Sequence, residues 1–220
     1  GQKIKIEDAK FLTPIKPKTF YAAGLNYAEH VIEQASANNQ EPNIPKEPHI
    51  GYRANNALIA HNQPIIKPSD SSEEFQYEGE LVAIIGKKTK NVSEQDALNY
   101  VFGYTIGNDV SERKWQRDDR TMWRAKNTDT FKPMGPWIET ELDLNRLVTT
   151  VRINKVETIS FPTNNMIFGV ACFISAMSKY LTLVPGDMIW MGTEGHSVNM
   201  KPGDICEIEI NKIGTLSNPI

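Results

Sequence analysis

Phe75-Gln-Tyr-Glu-Gly-Glu-Leu-Val-Ala-Ile-Ile-Gly86 is the stretch on which the reading of this chain turns. Its apolar run, Leu81 to Ile85 closed by Gly86, has the length and composition of a buried strand. Glu78 and Glu80 stand two residues apart just before the run. In an extended chain, positions i and i+2 share a face. Two carboxylates therefore project together beside core. Without a positive partner this arrangement is costly, and a divalent metal ion would relieve it. Two same-face glutamates can also lie on the wet end of a strand, and the stretch alone leaves both readings open.

The surrounding chain has 220 residues, enough for one large domain with its own core. A net charge of -3 and a pI near 5.9 give no electrostatic reason to expect nucleic acid or an anionic membrane as partner. No apolar run reaches bilayer length and no signal-peptide layout is present. The start at Gly1 is consistent with a chain that begins inside a longer one. Two cysteines, Cys172 in a helical pattern and Cys206 in a strand pattern, read as buried thiols. Their scarcity fits a reducing, cytoplasmic setting and argues against a zinc–thiolate site.

Residues 1–17 read as a leading strand and connector, and residues 18–220 as a single domain. In Phe20–Glu33 the chain begins extended, turns at Gly24 and enters a short helix through about Ala35, with Asn26 as N-cap. His30 and Glu33 are i,i+3 neighbours on that helix, the spacing a general base and its orienting carboxylate need. A surface His beside a surface Glu has the same spacing. Residues 36–49 are polar, with three prolines, and read as a mobile loop of the kind that covers sites. Ser93–Asp96 resembles a capping box leading to a short helix. Val101–Val110 reads as an apolar strand, and Asp109 at its end is the natural third carboxylate. Ser111–Arg120 reads as helix and loop, with Arg113, Trp115 and Gln116 standing out. Trp123–Ile138 reads as a stiff loop carrying Lys126 and Asp129. Phe168–Leu181 reads as core helix. The Pro-Gly-Asp triplets at 185–187 and 202–204 read as turns into strands. Gly192–Ser197 reads as a flexible loop able to offer backbone N–H groups to an anion. Many short strands and few helices point to an all-β or β-rich mixed roll, not to alternating β and α units.

Taken in order, these pieces resemble the fumarylacetoacetate hydrolase family. The matching segments are Gly24-Leu-Asn-Tyr-Ala-Glu-His30, Tyr77-Glu-Gly-Glu-Leu81, Gly107-Asn-Asp109, Ala125-Lys126 with Asp129-Thr-Phe131 and Gly135-Pro136, Pro185-Gly-Asp187, Gly192-Thr193 and Ile213–Pro219. The resemblance implies a β-rich α+β fold: a mixed β-sandwich roll with a few short helices, usually a homodimer. It implies Glu78, Glu80 and Asp109 as ligands of Mg2+, with Mn2+ or Ca2+ as alternatives; an all-carboxylate set suits a hard cation. It assigns His30 as catalytic histidine, Glu33 as its supporting acid and Lys126 as the substrate-contacting lysine. Asn26, Arg113, Gln116 and Thr193 would line the substrate pocket. The implied substrate is a small oxo acid, and the implied reaction is C–C hydrolysis of an acylpyruvate-like or fumarylacetoacetate-like diketo acid. The presence of both His30 and Glu33 favours that reaction over isomerisation or decarboxylation of an oxo-dioate. A metal-binding module without catalysis fits less well, because it needs neither Lys126 nor His30. The sequence departs from the family pattern at Glu194-Gly-His-Ser197, at Ser111-Glu112 and Lys114-Trp115, and at Asn127-Thr128. His196 reads there as a loop residue.

Overall fold

A computed structural model describes residue 5, residues 9–37 and residues 39–220. The strand expected over the first residues falls largely outside them, and residues 9–19 have no regular secondary structure. The architecture is a β-rich roll. Its larger sheet has seven strands: β1 (Phe20–Gly24), β2 (His49–Tyr52), β3 (Leu58–Ile59), β5 (Gly79–Ile85), β6 (Val101–Asn108), β8 (Lys132–Glu139) and β11 (Met188–Trp190), in the order β2-β1-β11-β5-β6-β8-β3. A four-stranded sheet, β10-β9-β12-β13, is formed by β9 (Val148–Ile153), β10 (Val156–Pro162), β12 (Ile205–Ile210) and β13 (Gly214–Pro219). A short pair joins β4 (Phe75–Gln76) to β7 (Ser111–Glu112). The helices are α1 (Ala28–Ala37), α2 (Arg113–Asp118), α3 (Trp123–Asn127) and α4 (Val170–Tyr180). Among the described residues, no helix is long and apolar enough to cross a membrane.

Strand β5 organises this arrangement. All seven of its residues are buried, between antiparallel neighbours β11 and β6. A strand covered on both faces reads as a continuous apolar run, which is why Leu81–Ile85 shows no alternation. Alternation reappears in what each residue touches. Leu81, Ala83 and Ile85 enter the main core, with Val151, Ile208 and Leu216 of the second sheet and Phe173, Ile174 and Met177 of α4. Val82 and Ile84 face the other way, into a smaller cluster with Phe20, Met134, Met188 and Trp190. Glu80 continues that second row.

Four expectations require correction. The stretch from Phe75 to Gly86 is not one strand: β4 turns aside to pair with β7, leaving Tyr77-Glu78 as the crossing into β5. Asn26 does not cap α1, because its amide bonds to the backbone of Phe168 and Met191. The segment Trp123–Ile138 is not a loop but contains α3 and β8. Its prolines are accommodated because the β6–β8 ladder is irregular, with a register shift between Tyr104 and Ile106, and an irregular ladder tolerates a missing N–H. Cys172 is only half-buried, whereas Cys206 is buried as expected.

The Trp190 ring of β11 reaches across β5 onto β6, so that a Cβ on Gly107 would lie 2.5 to 2.8 Å from its ring atoms. Gly107→Ala is therefore predicted to destabilise the fold by about 1–3 kcal/mol through overpacking. Urea unfolding followed by tryptophan fluorescence checks this, and an unchanged midpoint would show that the indole does not rest on Gly107.

Candidate metal centre and adjoining cavity

The β4–β7 pair draws the end of β6 back against the start of β5. Asp109 N–H donates to Glu78 O (2.9 Å), and Glu78 N–H donates to Asn108 Oδ1 (3.1 Å). Glu78, Glu80 and Asp109 thereby converge, each offering a carboxylate oxygen within 4.8 Å of the others, and all three are buried. Among the described residues no other group of His, Cys, Asp and Glu side chains is placed this way.

Cations surround the triad. Lys126, presented by α3 and 3% exposed, donates from Nζ to Glu78 Oε2 (2.7 Å) and Asp109 Oδ2 (3.2 Å). Arg113, the first residue of α2, donates from Nη1 to Glu78 Oε1 (2.6 Å). Glu112 caps that helix by accepting from Trp115 N–H, which fixes where Arg113 starts. Arg53, just beyond β2, reaches Asp109 Oδ2 from Nη2 (2.8 Å), and Lys132 on β8 lies 2.5 Å from Asp109 Oδ1. Burial alone would raise the pKa of Glu78, but Lys126 and Arg113 outweigh it and hold the carboxyl at about 2. Burial is likewise overcome at Asp109 by Arg53, Lys126 and Lys132, which keep its carboxyl well below the usual range. Lys132, desolvated most strongly, is lowered to about 8 despite Asp109.

Glu80 differs. One oxygen accepts from Gly192 N–H (2.7 Å), yet burial and the charges of Asp109 and Glu78 push its carboxyl well above the ordinary value. A buried carboxylate raised by two like-charged neighbours is what a bound cation would relieve. Three carboxylates without thiolate or imidazole suit a hard divalent ion, so the donor set fits.

Beside the triad lies a cavity of about 610 Å³, lined by His30, Glu33, Gln76, Arg113, Gln116 and His196 among others. Arg113 links the two, donating also to Gln76 Oε1 and Gln116 Oε1 (both 2.8 Å). His30 is half-buried, and its Nδ1–H donates to Gly195 O (3.1 Å), placing the lone pair of the neutral ring on Nε2. Burial lowers its pKa from 6.5, against the opposing effect of Glu78.

Of the residues singled out from sequence, Glu78, Glu80, Asp109, Lys126 and Arg113 form one cluster, and His30, Glu33 and Gln116 share the cavity with Arg113. Among the described contacts, Gly195 O accepts from His30 Nδ1, and Glu33 is exposed at the cavity rim. Asn26 is buried, and its amide ties α1 to the segments at 168 and 191. Thr193 is buried directly after Gly192. Asp129 accepts from Asn56 on the exterior. In the departing loop, Glu194 turns inward with its carboxyl raised by burial, and exposed His196 joins the cavity wall. Sequence reading missed Arg53 and Lys132. The available signal for Lys132 was a lysine within an apolar stretch, between Phe131 and Pro133.

Comparison with known proteins gives the following. The family model described as fumarylacetoacetate (FAA) hydrolase, C-terminal, matches residues 19–220. A fumarylacetoacetate hydrolase domain-containing protein 2 homolog of Dictyostelium discoideum is 40% identical over 100% of this chain and 77% of its own length. An oxaloacetate tautomerase of Xenopus laevis is 36% identical over 95% of this chain and 67% of its own. The crystal structure of a 5-carboxymethyl-2-hydroxymuconate delta-isomerase from Mycobacterium smegmatis superposes with a TM-score of 0.88, at 36% identity, over 100% of this chain and 84% of that one. Other relatives include an isomerase/decarboxylase and a 2,4-didehydro-3-deoxy-L-rhamnonate hydrolase. A maleylpyruvate hydrolase structure holds manganese(II) and pyruvate.

The depressed pKa of Glu78 gives a signed prediction. Its ion pairs stabilise the fold fully above the ordinary value of 4.5, and that contribution is lost as pH falls through about 2. Lys126→Met should lower the urea midpoint at neutral pH, with the gap from wild type narrowing as pH drops from 4.5 toward 2. A gap constant across that window would mean that Lys126 does not hold Glu78.

Proposed function

Since the chain belongs to the fumarylacetoacetate hydrolase family, we propose that it is a divalent-metal-dependent enzyme, served by Mg2+ or Mn2+, that interconverts the keto and enol forms of a small 2-oxo acid, an oxo-dicarboxylate such as oxaloacetate. The observation that carries this reading is one base facing a concentration of positive charge: His30 shares a cavity with Arg113, which together with Lys126 grips the triad. Keto–enol exchange requires one group to take a proton from the carbon beside the carbonyl and return it, together with cations for the charge left on oxygen. Two relatives at 36% identity carry tautomerase and isomerase names.

A divalent ion held by Glu78, Glu80 and Asp109 would supply Lewis-acid polarisation of the 2-oxo group. The chain's own residues do the rest. Arg113 and Gln116 bind the carboxylate of the substrate from the cavity side. Lys126 places an ammonium beside the oxygen on which charge develops. The Nδ1–H bond to Gly195 O fixes the tautomer of His30, so that Nε2 acts as the base.

C–C hydrolysis of an acylpyruvate is the second reading. It is favoured by Glu33 sharing the cavity with His30, and by the maleylpyruvate hydrolase among the structural neighbours. Hydrolysis needs an activated water as well as an enolate, and the exposure of Glu33 supports that step less well than the simpler proton exchange.

The test is a substrate panel with Mg2+ or Mn2+. Enol-to-keto conversion of oxaloacetate, followed by NMR, should accelerate without loss of carbon. His30→Ala should reduce it about 10²- to 10⁴-fold while calorimetric Mn2+ binding persists. The acidic limb of the rate should lie below pH 6.5, because the base must be neutral and burial lowers its pKa from 6.5. Bleaching of acylpyruvate near-UV absorbance without oxaloacetate exchange would favour hydrolysis instead, and release of CO2 would favour decarboxylation.

A further inference from the structure

Arg53 and Lys132 touch the triad through Asp109 alone and take no part in the proton transfer above. Arg53 spans both oxygens of Asp109, from Nε (3.3 and 3.2 Å) and from Nη2 (2.8 Å to Oδ2). Lys132 Nζ meets Oδ1 and spends its other hydrogens on Val110 O (3.1 Å) and Phe131 O (3.0 Å). With Lys126 on Oδ2, three cations serve one carboxylate. Their side chains are 9%, 0% and 4% exposed, so water screens them little.

Burying a cation is expensive, and an apolar residue of similar volume is often the more stable choice. Fixing the orientation of Asp109 needs one such partner. Counted with Arg113, four cations face three carboxylates, leaving the cluster with formal positive charge before any metal is added. That surplus has a use on the proposed reaction path. The reacting head of a 2-oxo acid carries one negative charge, on its carboxylate. When the proton beside the carbonyl moves to His30, the electron pair of the broken C–H bond forms the C=C bond of the enolate, and a second negative charge appears on the former carbonyl oxygen. The head becomes a dianion.

We propose that Arg53 and Lys132 set the charge specificity of this site: in contact with Asp109, they bias it toward a dianion, the enolate with its carboxylate, over a monoanion of the same shape. They are positioning residues, acting through Asp109 and through their field. The inference rests on the metal-site reading above. A purely structural role would weaken the binding of every ligand alike. A role in charge selection changes the ratio between ligands of different charge.

The experiment uses Mn2+-loaded full chain and two probes, oxalate and oxamate, which present two chelating oxygens but carry two and one negative charges. Calorimetry gives the ratio of their dissociation constants. In Arg53→Met and in Lys132→Met the preference for oxalate should fall at least about threefold, whereas Arg53→Lys, which keeps the charge, should retain it. Circular dichroism verifies folding. Should Lys132→Met not fold, the Arg53→Met and Arg53→Lys pair decides the matter. A ratio unchanged in folded Arg53→Met, or lost equally in Arg53→Lys, overturns the inference and leaves the metal site standing. A wild-type protein that takes up no Mn2+ overturns the metal-site reading, and this inference with it.

Discussion

Three carboxylates buried within 4.8 Å of one another cannot all stay ionised without compensation, and much of the local architecture around them supplies it. Cations arrive from four separate places in the chain: Arg53 after β2, Arg113 at the head of α2, Lys126 within α3 and Lys132 at the start of β8. Each of these side chains is itself buried or nearly so, and would be unstable there without the acids. The cluster is thus mutually dependent. Removing one member leaves another charge buried without its partner, which costs far more than the net worth of the pair. Glu80 is the exception in the set, held by a backbone N–H and pushed toward its neutral form, an unevenness that a hard divalent cation would relieve.

The sheet explains why the cluster sits where it does. Strand β5 is fully buried, so its side chains must be absorbed on two faces. The odd-numbered row packs into the core between the sheets, and the even-numbered row starts with the acid Glu80 before becoming apolar. The switch from carboxylate to Val82 and Ile84 along one row places the charge at the end of the sheet, where β4 and β7 fold across it and α2 and α3 deliver basic residues. Trp190 lies against Gly107 close by and closes the apolar side of the same face. The acids can therefore be out of water while remaining next to a cavity that a small molecule can enter.

One frame carries tautomerases, isomerases, decarboxylases and hydrolases among its relatives. A shared fold does not choose among these reactions; the groups at the site do. In this chain His196 lines the cavity, and the loop bearing it offers Gly195 O to His30 while Glu33 is exposed. One departure from the family pattern, Glu194-Gly-His-Ser197, thus falls next to His30, and all of them leave the carboxylate triad intact.

Much of the fold was legible because its signals are local. The apolar run of β5, the helix over 170–180 and the turns before β11 and β12 follow from periodicity and from Pro-Gly-Asp chemistry within a few residues. The two glutamates followed from the period of a strand, although the true strand begins one residue after Glu78. Errors arose where tertiary pairing overrode local preference: prolines inside β8, an amide at Asn26 diverted to distant carbonyls, and the bend at Tyr77-Glu78 demanded by β7. By itself, then, the order of residues determined the strand-rich class and the residue types able to hold a hard cation. Only the tertiary structure decided that Arg53 and Lys132 contact Asp109, that Gly195 O accepts from His30 Nδ1, and that the acids carry a surplus of cations. Spacing along a chain specifies which side chains share a face. Charge balance depends on through-space distance between residues 17 to 56 positions apart, and that exists only once the sheets have closed.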